Sequence, residues 1–145
     1  MAITTNAICN SFKKELLEAT HNFKNPGGNT FKLAMYTNSA ALGKSTTSFT
    51  TGGQVTSPSG YTSGGKALVN VGTSLATNTA ITDFADLSFT GVTLTARGAL
   101  IYNDTATGDP GVAVLDFGGD KTATSGTFTI QFPAFTTSAA ILRIA

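Results

Sequence analysis

The chain has no tryptophan, one cysteine, one histidine and two glutamates among its 145 residues. Each shortage closes off a class of chemistry. A lone Cys9 makes no intrachain disulfide, so no disulfide framework is expected. One thiol and one imidazole cannot supply the three or four ligands of a zinc site. Without tryptophan, the strongest platform for stacking on sugars is missing. Charge is scarce at 12%, and the nine basic residues are scattered with no run longer than two. Capture of nucleic acid needs a concentrated basic face, so no direct nucleic-acid partner is expected. No apolar run approaches the ~20 residues that span a bilayer, and no membrane association is expected. The opening "MAITTNAICNSF" lacks a basic segment followed by an apolar one, so no secretory leader is expected.

What is present points to a β protein. Roughly one residue in six is threonine, and there are 16 glycines. The branched Cβ of threonine suits a pleated surface, and glycine punctuates turns. The length fits one domain over residues 1–145.

One helix is expected, over about 6–23. Ile8, Phe12, Leu16, Ala19 and Phe23 make an apolar stripe at a 3.6-residue period, and Thr5 or Asn6 is placed to cap its start. Lys14 and Glu18 fall four apart on its polar side. "KNPGGN" at 24–29 ends it. Beyond it the period changes to two. "TFKLAMYT", "KALVNV" (66–71), "TAITDFA" (79–85), "LSFTG", "VTLTARGALIYN" (92–103), "GVAVLDFG" (111–118), "GTFTIQFPA" (126–134) and "AAILRIA" (139–145) read as strands. "NDTATGDPG" (103–111) and "GGDKTATSG" (118–126) read as turn-rich connectors. Strands joined without intervening helices predict an antiparallel β-sandwich or jelly-roll-like domain with one N-terminal α-helix.

The segment from about 38 to 65 is rich in Ser, Thr and Gly and has little periodicity. It reads as a long surface loop. Its apolar members Phe49, Val55 and Tyr61 either anchor the loop to the sheet or, if exposed, meet a partner. They are the candidate partner-interface residues.

No catalytic constellation emerges. Twelve residues separate Cys9 from His21, about 18 Å along one straight helix, too far for a nucleophile–base pair. The reading is a packed thiol and a helix-end histidine. Asp83, Asp86, Asp116 and Asp120 fit no calcium-loop pattern and read as turn and edge aspartates. "DFG" at 116–118 comes without a kinase's other motifs, and "TGGQVTSPSGYTSGG" lacks the ending of a phosphate-binding loop. The expectation is a chain that is not an enzyme and uses neither cofactor nor metal.

The succession "AICNSFKKELLEATHNF", "GNTFKLAMYT", "ARGALIYND", "VAVLDFGGDKTATSGTFTIQFP" and "AAILRIA" resembles a group of small virion proteins encoded by tailed bacteriophages. The resemblance runs over nearly the whole chain and is weakest at residues 40–65. It implies a non-enzymatic particle component present in many copies, assembled in the bacterial cytoplasm, and it carries over no functional residues. The first expectation is a capsid decoration (cement) protein bound to the major capsid protein and to other copies of itself. A tail, adaptor or fibre-associated module is the alternative within the particle. A carbohydrate-binding module or small hydrolase is the alternative outside it.

Overall fold

A computed structural model of the chain describes residues 3–56 and 60–145. Nine elements follow in order: β1 (Ala7–Ile8), α1 (Asn10–Leu17), β2 (Phe31–Tyr36), β3 (Lys66–Ala67), β4 (Asn70–Ala76), β5 (Thr79–Phe84), β6 (Leu87–Asn103), β7 (Gly111–Ile130) and β8 (Leu142–Ile144). The class is the expected one: mainly β, with every strand pair antiparallel and one short helix. The strands form two sheets, β1-β7-β6-β2-β3 and β4-β5-β8.

The hairpin of β6 and β7 is the frame. It runs from Leu87 opposite Ile130 to Tyr102 opposite Gly111. Residues 98–103 of β6 lie between β7 and β2 and are buried throughout, which explains why that stretch is almost continuously apolar. The expected connector at 118–126 is a correction: it belongs to β7. Between the pairs Ala96–Lys121 and Gly98–Asp116, residues 117–120 stand opposite the single residue Arg97. The glycines therefore mark a bulge, with Gly118 at φ 77°, and not the end of a strand. After it the threonines take the outer face while Ala123, Phe128 and Ile130 turn inward. Thr95 and Thr122 hydrogen-bond across the ribbon at 2.8 Å, as do Ser88 and Thr129 at 3.0 Å. The same bending joins "LSFTG" to "VTLTARGALIYN" in one strand with irregular register between Phe89 and Leu94.

The helix is the second correction. It covers Asn10–Leu17, not 6–23, and the residue before it is Cys9, which makes no side-chain cap. Ala19 adopts the left-handed conformation (φ 59°) and reverses the chain. His21 and Phe23 then fold back onto Phe12, with ring centroids 4.8 and 6.0 Å away. Three residues of the apparent stripe, Phe12, Leu16 and Phe23, still face the core or its edge, but only Phe12 and Leu16 do so from the helix. Tertiary packing of aromatic rings outweighs continuation of a short helix, which is marginal alone. The exposed Lys14–Glu18 pair forms at 3.0 Å and adds little.

The two sheets meet at an aromatic cluster. Phe23 and Phe31 stack face to face at 4.4 Å, Phe84 of β5 lies 5.7 Å from Phe31, and Phe132 adds an edge to Phe84 at 5.6 Å. One contiguous apolar core runs from this cluster through β2, β6 and β7.

The segment between β2 and β3 is held down by three tyrosine hydroxyls. Tyr36 donates to the Thr50 carbonyl at 2.6 Å, and Tyr102 donates to that of Gly64 at 2.6 Å. Tyr61 accepts from the Met35 amide and donates to Gln54 Oε1, each at 2.9 Å. Gly65 follows at φ 80° so close to β2 that a Cβ would fall on the Leu33 carbonyl oxygen. Residues 57–59 of the expected loop lie outside the described residues. Changing Tyr61 to Phe removes a hydroxyl and orphans a buried amide, so urea denaturation should show a loss of about 1–3 kcal/mol.

Candidate functional site

The candidate interface residues of the loop turn inward. Val55 and Tyr61 are buried. Phe49 is half-buried and stacks on Tyr102 with centroids 4.7 Å apart. Val55 and Tyr61 spend their apolar area within the chain, and Phe49 remains partly exposed beside Tyr102. The loop's outer surface is the polar Ser/Thr/Gly backbone they hold in place.

The chain reverses at Ala19, at φ 59°. The reversal builds a relay that sequence reasoning did not find. His21 Nε2 and Glu15 Oε2 are 2.7 Å apart. On the other side, His21 Nδ1 lies 3.1 Å from Asn103 Nδ2. Asn103 is fully buried, and its Oδ1 accepts the amides of Thr105 and Ala106 at 3.0 and 3.2 Å. Its nitrogen must therefore be the donor, which makes Nδ1 of His21 an acceptor and puts the ring proton on Nε2, facing Glu15. A second Asn103 proton goes to Asn29 Oδ1 at 2.9 Å. Both imidazole nitrogens are engaged within the protein, Nδ1 by Asn103 and Nε2 by Glu15. The relay ties α1 to the β6–β7 turn.

Cys9 is equally closed. Burial, reinforced by the nearby Glu15 charge, pushes its thiol up to about 11. At neutral pH it is a buried thiol, not a thiolate. Ellman's reagent should leave Cys9 unmodified in the native protein and react with one equivalent after denaturation.

Asp83 corrects the reading of the aspartates as turn and edge residues. It sits on β5 and is 1% exposed. Its Oδ1 accepts the Phe84 amide at 2.8 Å, while Oδ2 is buried without a hydrogen-bond partner. Burial raises its pKa above the ordinary 3.8, against the opposing pull of the Phe84 amide. The folded chain therefore binds this proton more tightly than the unfolded one. Asp83 favours folding below its ordinary pKa, and that contribution is lost as pH rises through the raised value. Asp83→Asn keeps the acceptor for Phe84 and removes the charge. Its melting temperature should exceed the wild type's at pH 7, and the difference should vanish near pH 3. Asp116 is shifted the other way: the Gly118 amide foremost, and Arg97 at 3.2 Å, hold its carboxyl below the usual range.

Two depressions stand out among the described residues. The larger, about 490 Å³, lies along the bend of β7 between Leu115 and Gln131. One strand lines it, and its Asp116 is already engaged by Arg97. The smaller, about 340 Å³, is a groove between α1 and the three-stranded sheet. Ile8, Phe12, Leu16 and Phe23 line it on one side, and residues of β5 and β8, among them Leu142 and Ile144, on the other. The register shows why it is apolar. Thr73, Thr82 and Leu142 are cross-strand neighbours, as are Leu75, Ala80 and Ile144 in the next row out. The first row flanks the core. The second is open, with Leu75 71% and Ile144 61% exposed. The groove is thus the seam between helix and sheet left unfilled at one end. Its charged lining residues are Lys13 and Arg143, with no carboxylate among them. Arg143 also donates to the Thr137 and Ser138 carbonyls at 3.4 and 2.9 Å.

No helix among the described residues is long and apolar enough to cross a membrane, and none of their His, Cys, Asp and Glu side chains gather in a group of three or more able to hold a metal ion. Comparison with known proteins finds no matching family model, curated protein or solved structure.

Proposed function

We propose that this chain is a non-enzymatic structural protein of a tailed-bacteriophage virion, a capsid decoration protein that binds the major capsid protein. The observation that carries the proposal is the open groove between α1 and the β4-β5-β8 sheet, an apolar seam with cations on its rim. Its occupant is an apolar side chain on an acidic segment of the capsid lattice. Burying apolar surface there contributes about 25 cal/mol per Å², less the cost of association, and so reinforces the lattice against outward pressure from packaged DNA. The sequence resemblance to small virion proteins supports the same reading. The low charge of the chain tolerates many copies packed side by side.

The test is quantitative mass spectrometry of separated heads and tails, with binding of the purified chain to expanded heads that lack it. A copy number on heads comparable with that of the lattice protein is expected. Confinement to tails in few copies would replace decoration by an adaptor role, and absence from particles would overturn the virion reading. Ile144→Asp, at an exposed position, should weaken head binding without altering the fold. Lys13→Glu should weaken it most at low salt.

A further inference from the structure

The sheet edges of this protein are defended unequally. An exposed strand edge offers unpaired N–H and C=O groups, and natural proteins blunt such edges by brevity, charge, proline or bulges. β1 and β3 are two residues long and β3 begins with Lys66; β8 is three residues long and carries Arg143. The outer part of the β6–β7 ribbon is interrupted by register shifts at Phe89–Val92, Val92–Leu94 and Ala96–Gly98. β4 differs. After one irregularity between Asn70 and Gly72 it runs in unbroken register from Gly72 to Ala76. Its outer side has no strand partner among the described residues. Residues 71–82 contain no charged side chain and no proline. Leu75 stands almost free on it.

We infer that β4 pairs antiparallel with β4 of a second copy across a two-fold axis, making a six-stranded sheet from two three-stranded ones. The occupant is a second copy because the edge suits itself. A neutral strand meets its own image without like-charge repulsion, and antiparallel pairing of identical strands closes after two subunits. The symmetry has a structural consequence. A two-fold axis normal to the sheet leaves each face on its own side, so the row Leu75–Ala80–Ile144 continues into its symmetry mate. The two apolar grooves then open toward the same side. The dimer deepens the proposed function by presenting both grooves to one partner surface, and only this last step rests on that proposal.

Sedimentation of the full chain should show a concentration-dependent monomer–dimer equilibrium. Leu75→Lys and Leu75→Glu should each weaken the dimer at least about tenfold by placing like charges across the axis. An equal mixture of the two should restore it as a heterodimer. Ser74→Lys, on the other face, serves as a second edge variant, and circular dichroism checks that each variant folds. Ile144→Lys, at the opposite edge of the sheet, should leave the dimer intact. A wild-type chain that stays monomeric, an assembly indifferent to both Leu75→Lys and Ser74→Lys, or one abolished by Ile144→Lys alone would overturn the inference. Heads decorated by a chain that never dimerises would overturn the edge pairing alone; a dimer that ignores heads would overturn the particle reading alone.

Discussion

Asn103→Ala should destabilise the protein by about 3 kcal/mol, because it removes all the hydrogen bonds of a fully buried amide at once and strands the buried His21 ring, and an unsatisfied buried group costs about 1–3 kcal/mol. The amides of Thr105 and Ala106 lose their acceptor and His21 Nδ1 loses its donor, while Asn29 Oδ1 keeps the Asn22 amide at 2.8 Å. Asn103 is fully buried and His21 is buried beside it, whereas Thr105 is exposed and its amide can turn to water. Urea denaturation followed by circular dichroism measures the loss. His21→Phe in the same background isolates the imidazole's share. If the relay acts as one network, the double variant loses less than the sum of the two single ones. A loss under about 1 kcal/mol for Asn103→Ala would mean that water fills the space and replaces the amide.

Phe31→Ala should cost about 3–5 kcal/mol, the range for removing a buried phenylalanine ring. Phe31 is fully buried and joins the two sheets, stacked on Phe23 at 4.4 Å and 5.7 Å from Phe84. Its loss removes apolar contact and leaves a cavity that rings on separate elements cannot easily fill. Leu17→Ala is the matched control. Leu17 is 91% exposed, so its truncation should change stability by less than about 0.5 kcal/mol. Equal effects from the two variants would show that the Phe23–Phe31–Phe84 cluster is not what couples the sheets.

These two residues show which signals are local and which are not. Phe31, Leu33 and Met35 alternate with Lys32, Ala34 and Tyr36 in a plain strand pattern, and the place of Phe31 in the core follows from period two. Asn103 looks like a turn residue, "YND", and does begin a turn through its Oδ1. Nothing local announces that its nitrogen meets His21, 82 residues earlier. The helix was overextended for a related reason. Phe12 and Phe23 fit one apolar stripe, but the same burial is reached by reversing at Ala19, and a hydrophobic period cannot distinguish the two. At 118–126 glycine misled: it marked a bulge in a continuing strand. The alternation of Thr122 and Thr124 with buried Ala123 was the available sign.

The groove and the β4 edge were not legible at all. Leu75, Ala80 and Ile144 are ordinary strand residues in three separate segments, and only cross-strand register aligns them in one exposed row. The loop anchors were half legible: Phe49, Val55 and Tyr61 stood out as apolar in a polar stretch, but their direction depended on partners such as Met35, Gln54 and Tyr102.

By itself the sequence determined the class of the protein. Period-two alternation, threonine content and turn residues act over a few neighbouring positions, and they suffice for antiparallel strands, one helix and a central apolar strand. Tertiary structure alone decided where the helix stops, which strand edges stay open, which polar groups are buried, and where the core is left unfilled. Those outcomes depend on contacts between residues far apart in the chain, whose energies outweigh local preference and leave no periodic trace.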